Sequence, residues 1–246
     1  MIRYHALLSI LLFVILFVKS FAQEEHATKK TISFCFEEWR PFSYINEQNI
    51  ISGIDVERLK TLLSDKYTLQ FSELPFRRCM KSVQKNLIDF ILHIDESDNL
   101  SLIKSPLNSW QLTLAVAKEN HYSLTQILND STFTLLIAED YEYPPEIKNM
   151  FNNFSGKITK RSFYTSNPQA TRKLYRLLEK KAVDAILVDK TWAEEQIKTL
   201  QIPVKLIDEV IHSEPQFIGY ANQKLKLIAD DIFNFLSKHD QHESAK

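Results

Sequence analysis

This chain uses one strand pattern twice, ninety-five positions apart. Residues 83–94 and 178–189 both read as polar helical spacing, then an Asp, then a short apolar run. A run of this kind is typical of a strand that is buried on both faces of a parallel sheet. The repetition therefore predicts two α/β lobes built on the same plan. The residues shared by the two copies are Lys85 and Lys180, Asp89 and Asp184, Ile91 and Ile186, and Leu92 and Leu187.

The ends of the two repeated strands indicate where a ligand would bind. In parallel α/β sheets, ligands collect beyond the carboxyl ends of the strands. His93 and Ile94 end the first copy and Asp189 ends the second, so these positions are candidates for a binding site. Asp89 and Asp184 precede their strands, at the opposite end, and are expected to have structural roles.

The order of the predicted elements supports a division into two lobes. Residues 31–94 alternate strand, helix, strand, helix and strand, which is the order of a parallel sheet. Residues 95–109 are polar and are predicted to be irregular, whereas 111–118 form a clear strand that crosses into a second lobe. The strand 204–210 leads back. The expected lobes are 23–111 together with 213–246, and 112–212.

The first 22 residues are predicted to be a secretory signal peptide. A largely apolar run covers residues 6–18, and Ser20 and Ala22 place small residues at positions −3 and −1 of a cleavage site. The run is too short to span a bilayer, and no later stretch reaches that length. We therefore expect cleavage after Ala22 and export of the chain to the periplasm.

The charge balance excludes a nucleic-acid-binding role. Without Arg3 and Lys19 of the signal peptide, 28 basic side chains stand against 31 acidic ones, a net charge of about −3. Nucleic-acid binding depends on clustered Lys and Arg, and the sequence has no basic stripe. Only three glycines occur, so Gly-rich phosphate-binding loops are absent, and no Cys/His spacing of a metal site is found. The sequence predicts neither a cofactor nor a metal.

Cys35 and Cys79, the two cysteines of the chain, are predicted to form a disulfide within lobe one. An exported protein meets an oxidising environment, in which disulfides persist. Cys35 lies in the first predicted strand, and Cys79 begins the helix after the second strand, which should neighbour the first. The alternative is a pair of buried free thiols.

The order and spacing of several motifs carry a resemblance to a known family. A first strand leads into Glu-Glu-Trp-Arg-Pro-Phe-Ser-Tyr at 37–44, Gly-Ile-Asp-Val at 53–56 opens a helix, and Pro-Phe-Arg-Arg-Cys follows at 75–79. With both repeat copies, the strand 111–118 and the last strand and helix, the chain resembles bacterial extracellular solute-binding proteins of family 3. The resemblance implies a type II periplasmic-binding-protein fold, in which two α/β lobes joined by a two-strand hinge close on a small solute.

The resemblance assigns ligand-binding roles to two residues. Trp39 stands where these proteins place an aromatic side chain that stacks on the ligand, and Asp189 stands where amino-acid binders hold the ligand's ammonium group. Amino-acid binders also place an Arg shortly after the first repeat strand to hold the α-carboxylate. Residues 93–103 contain no Arg or Lys, so a standard α-amino acid is disfavoured.

Four further residues in predicted cleft loops are candidate ligand contacts: Glu37, Arg78, His93 and Tyr141. Arg78 lies in the first turn of a helix, where a cation is unfavourable, so a salt bridge to Glu37 or Glu38 is the favoured interpretation. A histidine after an apolar strand is more often packed or hydrogen-bonded than bound to a ligand.

Structural alternatives also exist for the two residues that the resemblance selects. Asp189 is placed to cap the helix that follows it, a role that does not exclude ligand contact. For Trp39, the alternative is a packing role in the core at the edge of its lobe. Ligand contact is favoured, because Trp39 lies beside Pro41 and Phe42 in a loop at the end of a strand.

The predicted cleft loops carry more acids than bases. Three basic residues, Arg40, Arg77 and Arg78, stand against nine acids. This excess favours an amine or another cation as the ligand. The acids are Glu37, Glu38, Asp95, Glu96, Asp98, Glu139, Asp140, Glu142 and Asp189.

The sequence therefore predicts a monomeric periplasmic solute-binding protein without catalytic activity. It captures a small polar solute, amino-acid-like or amine-bearing, for the permease of an ABC transporter. Two alternatives remain: a periplasmic enzyme of the cyclohexadienyl dehydratase type on the same fold, and a sensory module for a membrane partner. The dehydratase would need cationic clamps for its anionic substrate, and the predicted cleft is poor in them.

Overall fold

The structure is a computed structural model that describes residues 29–139, 141, 143–162 and 167–243. The predicted signal peptide and its cleavage site lie outside the described residues. None of the helices in the described ranges is long and apolar enough to cross a membrane.

The first lobe is built on three parallel strands. Strand β1 (Lys30–Phe36) lies between β4 (Tyr67–Glu73) and β5 (Phe90–Ile94) and pairs in parallel with both. Helices α1 (Ile54–Leu63) and α2 (Phe76–Gln84) connect these strands, in the predicted order. A separate hairpin is formed by β2 (Tyr44–Ile45) and β3 (Ile51–Ser52).

The second lobe repeats this arrangement. Strand β7 (Thr134–Ala138) pairs in parallel with β8 (Lys157–Arg161) and with β9 (Ala185–Asp189). Ser123 caps the first helix of this lobe, and Asn167 caps the third. The helices are α3 (Leu124–Asn129), α4 (Pro145–Asn152), α5 (Pro168–Glu179) and α6 (Lys190–Leu200).

Two long strands join the lobes. Strands β6 (Ser101–Ala117) and β11 (His212–Tyr220) are antiparallel, and their pairing runs from Ser101 opposite Tyr220 to Leu112 opposite His212. The short strand β10 (Val204–Leu206) pairs with the far end of β6. The chain closes with helix α7 (Lys226–Glu243).

We call the antiparallel pair of β6 and β11 the ribbon. Its extent shows that the prediction of an irregular segment at residues 95–109 is wrong. A 3-10 turn covers Glu96–Asp98, and the chain is already extended from Ser101. The prediction was wrong because the segment is polar and contains Pro106, and both features argue against an interior strand. The pairing register with β11 shifts between Ile103 and Asn108, so Pro106 lies where the ladder is interrupted.

The two lobes attach to opposite ends of the ribbon. Strand β5 pairs with the carboxyl-terminal part of β11, whereas β9 pairs with the carboxyl-terminal part of β6. The complete strand order is β4-β1-β5-β11-β6-β9-β7-β8, with β10 beside β6. The sheet is therefore parallel within each lobe and antiparallel at the junction.

Each lobe has its own hydrophobic core. The first-lobe core includes Phe34, Phe36 and Phe90 and is covered by α1 and α7. The second-lobe core includes Leu135, Ile186 and Tyr175. Burial of these apolar side chains is the main stabilising contribution in both lobes.

The repeated aspartates have matching structural roles, as predicted. Asp89 accepts a hydrogen bond from the backbone N–H of Ser33 in β1 (2.8 Å), and Asp184 accepts one from the backbone N–H of Thr134 in β7 (2.8 Å). Each carboxylate thus ties the start of the repeated strand to the first strand of its lobe. The match extends to Asn86 and Lys181, which follow α2 and α5 with left-handed φ angles of 56° and 53°.

The predicted disulfide between Cys35 and Cys79 is confirmed, with the two Cα atoms 5.8 Å apart. Strand β4 does neighbour β1, and Cys35 pairs in register with Ser72. The bridge is completely buried and packs with Val83, Ile91 and Ile94 between α2 and the sheet.

Candidate functional site

The two residues selected by the resemblance meet between the lobes. Trp39 belongs to the loop after β1 and packs against the hydrophobic core of the second lobe. Its indole also lies close enough to the carboxyl group of Asp189, at the end of β9, to lower the pKa of that group as a hydrogen-bond donor. Because an indole N–H can only donate, Asp189 is the acceptor. The lobes therefore contact each other at these two side chains.

Asp189 has the capping role that the sequence offered as one interpretation. Its Oδ1 accepts a hydrogen bond from the backbone N–H of Trp192 (2.7 Å) at the start of α6. The residue is only 3% exposed. Burial raises the pKa of Asp189 from 3.8 to about 7, against the opposing effect of hydrogen bonds from Trp192, Trp39 and Thr191. A buried carboxyl group with a raised pKa gains stability when a cation is placed beside it.

The Trp39 loop is held on the amino terminus of α1. The N–H groups of Ile54 and Asp55 donate to the carbonyl oxygens of Pro41 and Phe42, each at 3.0 Å. Gly53 precedes them with a φ of 130°, and a Cβ atom there would lie 2.3 Å from the Phe42 oxygen. Only glycine permits this approach, so the Gly-Ile-Asp-Val segment positions the loop that carries Trp39.

His93 lies behind Trp39 in a buried hydrogen-bond network. Its Nε2 lies 2.9 Å from Oδ2 of Asp55, and its Nδ1 lies 3.4 Å from the hydroxyl of Ser43. Asn108 also donates to the Asp55 carboxylate. The ring of Trp39 contacts the His93 ring edge to face, with centroids 5.0 Å apart. His93 is thus packed and hydrogen-bonded, and its direct contact with a ligand stays a prediction.

Ser43 joins this network to the Trp39 loop. The backbone N–H of Trp39 donates to the Ser43 carbonyl (2.8 Å), and the N–H of Ser43 donates to the Trp39 carbonyl (3.0 Å). The side chain of Ser43, which is completely buried, contacts His93. The position of Trp39 therefore depends on Ser43, His93 and Asp55 together.

Tyr141 lies on the second-lobe side, against Trp110. The ring centroids of Tyr141 and Trp110 are 5.4 Å apart, and those of Trp110 and His212 are 5.1 Å apart. Burial raises the pKa of Tyr141 well above its ordinary value, and the carboxylates of Asp189, Glu37 and Glu214 raise it further. Tyr141 therefore lies within the electrostatic field of acids from both lobes.

Sequence reasoning did not identify Trp110, His212 or Glu214. In the ribbon, Leu112 lies opposite Asp189 on one side and opposite His212 on the other. Directly opposed residues of antiparallel strands project to one face, so Asp189 and His212 share a face, with Cα atoms roughly 10 Å apart. Trp110 and Glu214, which oppose each other two pairs further along, project to the same face.

His212 lies between two carboxylates. Its Nδ1 is 2.8 Å from Oε1 of Glu146, in α4, and its Nε2 is 3.3 Å from Oε2 of Glu214. No local sequence motif links Glu146, His212 and Glu214, because they meet only when β11 pairs with β6. The available signal in the sequence was the alternation of polar residues at 212, 214 and 216, which places them on one face of a strand.

The salt bridge expected for Arg78 is absent. Arg78 is exposed, and its side chain makes no hydrogen bond or ion pair with any described residue. Glu38 pairs instead with Arg40 (2.8 Å), and Glu37 accepts a hydrogen bond from the backbone N–H of Phe76 (3.2 Å). Glu37 thereby stabilises the amino terminus of α2, which removes the reason to expect a pair with Arg78.

The acids after β5 belong to the surface. Asp95 and Asp98 form the cap of the 3-10 turn, and Glu96 pairs with Lys104 at 2.6 Å. Of the acids predicted around the cleft, Asp140 and Glu142 lie outside the described residues. Within the ranges that the structure describes, no group of three or more His, Cys, Asp or Glu side chains could hold a metal ion.

Comparisons by sequence identify no relatives: no protein-family model matches the chain, and no curated protein matches it. Solved structures do match. YtmK from Bacillus subtilis, a probable amino-acid ABC transporter extracellular-binding protein, superimposes with a TM-score of 0.70 at 16% identity. The match covers 87% of this chain and 94% of that one.

Two reconstructed ancestral proteins are also similar. An ancestral arginine-binding protein bound to arginine matches with a TM-score of 0.63 at 18% identity, over 87% of this chain and 93% of that one. An ancestral amino-acid-binding protein, a precursor of cyclohexadienyl dehydratase, matches with a TM-score of 0.59 at 15% identity. This match covers 86% of our chain and 89% of the ancestral protein. The chain thus has the two-lobed α/β fold of type II periplasmic binding proteins and matches amino-acid ABC transporter substrate-binding proteins over most of its length.

Proposed function

We propose that this protein is an exported solute-binding protein that captures a small amine-bearing solute between its two lobes for an ABC transporter. The lobes of this proposal are residues 23–111 with 213–246, and residues 112–212. Support comes from the fold, from the predicted signal peptide, and from structural neighbours that are binding proteins.

The observation that carries the proposal is the meeting of Trp39 and Asp189. The buried carboxyl group of Asp189 lies within reach of the indole of Trp39, which comes from the other lobe and packs on the second-lobe core. A ligand ammonium group at this position would contact Asp189 and lie against aromatic rings. Such a ligand interacts with both lobes only when they are closed, so its binding shifts the protein towards the closed state.

Replacing Asp189 with asparagine should weaken solute binding by roughly tenfold to a hundredfold. The solute is the one that gives the largest thermal shift in a screen of amino acids, amines and small sugars. A charge-assisted hydrogen bond contributes about 1.5–3 kcal/mol, and asparagine removes the charge while retaining a capping oxygen. Isothermal titration calorimetry measures the change.

Asp184→Asn is the matched control, because Asp184 lies at the other end of the same strand and contacts Thr134. Its solute affinity should equal that of the wild type. Equal affinity of the Asp189 variant and the wild type would reduce Asp189 to a helix cap.

The stability of the ligand-free protein should depend on the ionisation of Asp189. The folded state raises the pKa of Asp189 from 3.8 to about 7, so it binds this proton more tightly than the unfolded state. The corresponding stabilisation is complete below about pH 4 and is lost as the pH rises through about 7. Urea unfolding of wild type and Asp189→Asn from pH 4 to pH 8 should show the variant gaining relative stability with pH. A constant difference between the two proteins would contradict a raised pKa.

The dehydratase alternative has less support in the geometry. Ser43, His93 and Asp55 have the residue types of a catalytic triad of hydrolases. Ser43 is completely buried, however, and its hydroxyl lies 3.4 Å from the ring nitrogen of His93, so these residues give no support to an enzyme.

A dehydratase that acts on an anionic substrate needs cationic groups in the cleft. Arg40 is already engaged by Glu38 (2.8 Å) and by the carbonyl oxygen of Ile45 (3.0 Å).

A further inference from the structure

We propose that the solute bound by this protein is an amine that carries no carboxylate group, such as the decarboxylated counterpart of a basic or aromatic amino acid. The inference rests on the proposed solute-binding function and specifies its ligand. It follows from two observations. The chain's own side chains occupy positions that could bind a carboxylate, and acids act on the aromatic rings of Trp110 and Tyr141.

Helix amino termini are the first places where a ligand carboxylate could bind, because their N–H groups lack partners within the helix. Two such ends are bound by Asp189 and by Glu37, which lies two positions before Trp39, so the chain's own carboxylates occupy both. Asp189 accepts from the N–H of Trp192 at the start of α6 (2.7 Å). Glu37 accepts from the N–H of Phe76 at the start of α2 (3.2 Å). A ligand carboxylate at either end would be repelled by an acid already there.

Basic side chains are the second means of holding a carboxylate, and those beside Trp39 and Asp189 are engaged elsewhere. The guanidinium of Arg40 binds Glu38 and the Ile45 carbonyl and lies 4.1 Å from the centre of the Tyr44 ring. Lys190, which follows Asp189, is directed along α6 towards Glu194, 4.0 Å away.

The indole N–H of Trp110 is the third position. This atom is buried and makes no hydrogen bond with any residue in the described ranges, so a ligand acceptor would suit it. Glu214 lies directly opposite Trp110 in the ribbon and projects to the same face. A carboxylate at this indole would therefore lie close to a second negative charge, whereas a hydroxyl group would not be repelled.

The same surroundings favour a cation. Trp110 and Tyr141 provide ring faces to which an ammonium group is attracted. Asp189, Glu37 and Glu214 all act electrostatically on Tyr141. Negative charge therefore acts on this pair of aromatic rings, which suits the ammonium end and the hydrocarbon chain of an amine.

Pairs of ligands that differ only by a carboxylate test this inference. The full mature chain is titrated in the calorimeter with lysine and cadaverine, ornithine and putrescine, arginine and agmatine, and tyrosine and tyramine. In every pair that binds, we expect the amine to bind at least about tenfold more tightly than its amino acid, because a carboxylate would meet an acid at either of these two helix ends and at the Trp110 indole.

The outcomes separate this inference from the proposed function. An amino acid that binds as tightly as its amine, or more tightly, overturns the inference and leaves the solute-binding function intact. Absence of binding by both members of every pair overturns both.

Two variants link the preference to the named residues. Glu37→Gln and Glu214→Gln should each lower the ratio of amine to amino-acid affinity by roughly threefold to tenfold, because each removes one charge that repels a carboxylate. Glu96→Gln is the control, since Glu96 pairs with Lys104 on the surface, and its ratio should not change. A loss of binding caused by misfolding would lower both affinities equally. An unchanged ratio in both variants would therefore contradict the inference.

Discussion

Replacing Asp55 with alanine should lower the free energy of unfolding by about 3–5 kcal/mol, because two hydrogen bonds to a buried carboxylate are lost and each contributes about 1.5–3 kcal/mol. Asp55 is 1% exposed, and its Oδ2 accepts from Asn108 and lies 2.9 Å from Nε2 of His93. Alanine would leave both buried groups without their acceptor. Urea unfolding followed by circular dichroism measures the loss.

Two further variants make the Asp55 result specific. Asp55→Asn retains an acceptor oxygen of the same size, so its loss should be clearly smaller. Asp65→Ala changes an exposed acid in the turn after α1 and should stay within about 0.5 kcal/mol of the wild type. A loss below 1 kcal/mol for Asp55→Ala would mean that His93 and Asn108 find other partners.

The Asp55 variant should also weaken solute binding more than its stability loss explains. Trp39 rests on the His93 ring, and Ser43 connects the His93 side chain to the Trp39 backbone. A shifted Trp39 would no longer lie beside Asp189. Binding is therefore measured at a temperature where the variant is fully folded. Unchanged affinity in the folded variant would show that Trp39 keeps its position without this network.

The sequence predicted the lobes because their evidence is local. Each repeat copy places an Asp before a short apolar run. In each lobe, this Asp connects the repeated strand to the equivalent neighbouring strand, β1 in the first lobe and β7 in the second. Asp189 could be selected in advance because the end of a repeated strand can be located without knowing the tertiary structure, whereas Trp39 was selected through the resemblance to solute-binding proteins of family 3.

The rest of the site depends on contacts between distant segments. Trp110 and Glu214 belong to strands that pair across more than one hundred residues, and the first of these strands was predicted to be irregular before residue 111. From the sequence, Asp55 was predicted only to lie in the first turn of a helix. Its role becomes apparent when β5 places His93 beside it, with His93 in a left-handed conformation (φ 60°). No periodicity or spacing in the sequence encodes such meetings.

The disulfide illustrates a long-range contact that the sequence could predict, and its removal should have the second large effect. Changing both Cys35 and Cys79 to alanine should lower the free energy of unfolding by about 2–4 kcal/mol, because the bridge restricts the unfolded chain. The cysteines are 44 residues apart, so the constrained loop contains α1 and β4. Urea unfolding of the wild type with and without reductant, beside the double variant, measures this contribution.

The double variant is also the control for the reductant, because it has no thiol and should unfold identically in both conditions. Since the bridge lies between α2 and the sheet, its loss should lower the stability of the first lobe without altering Asp189. Solute affinity of the folded double variant should therefore stay close to that of the wild type. A wild type whose unfolding is insensitive to a reductant that demonstrably frees both thiols would mean that packing around Val83 and Ile91 alone holds α2 on the sheet.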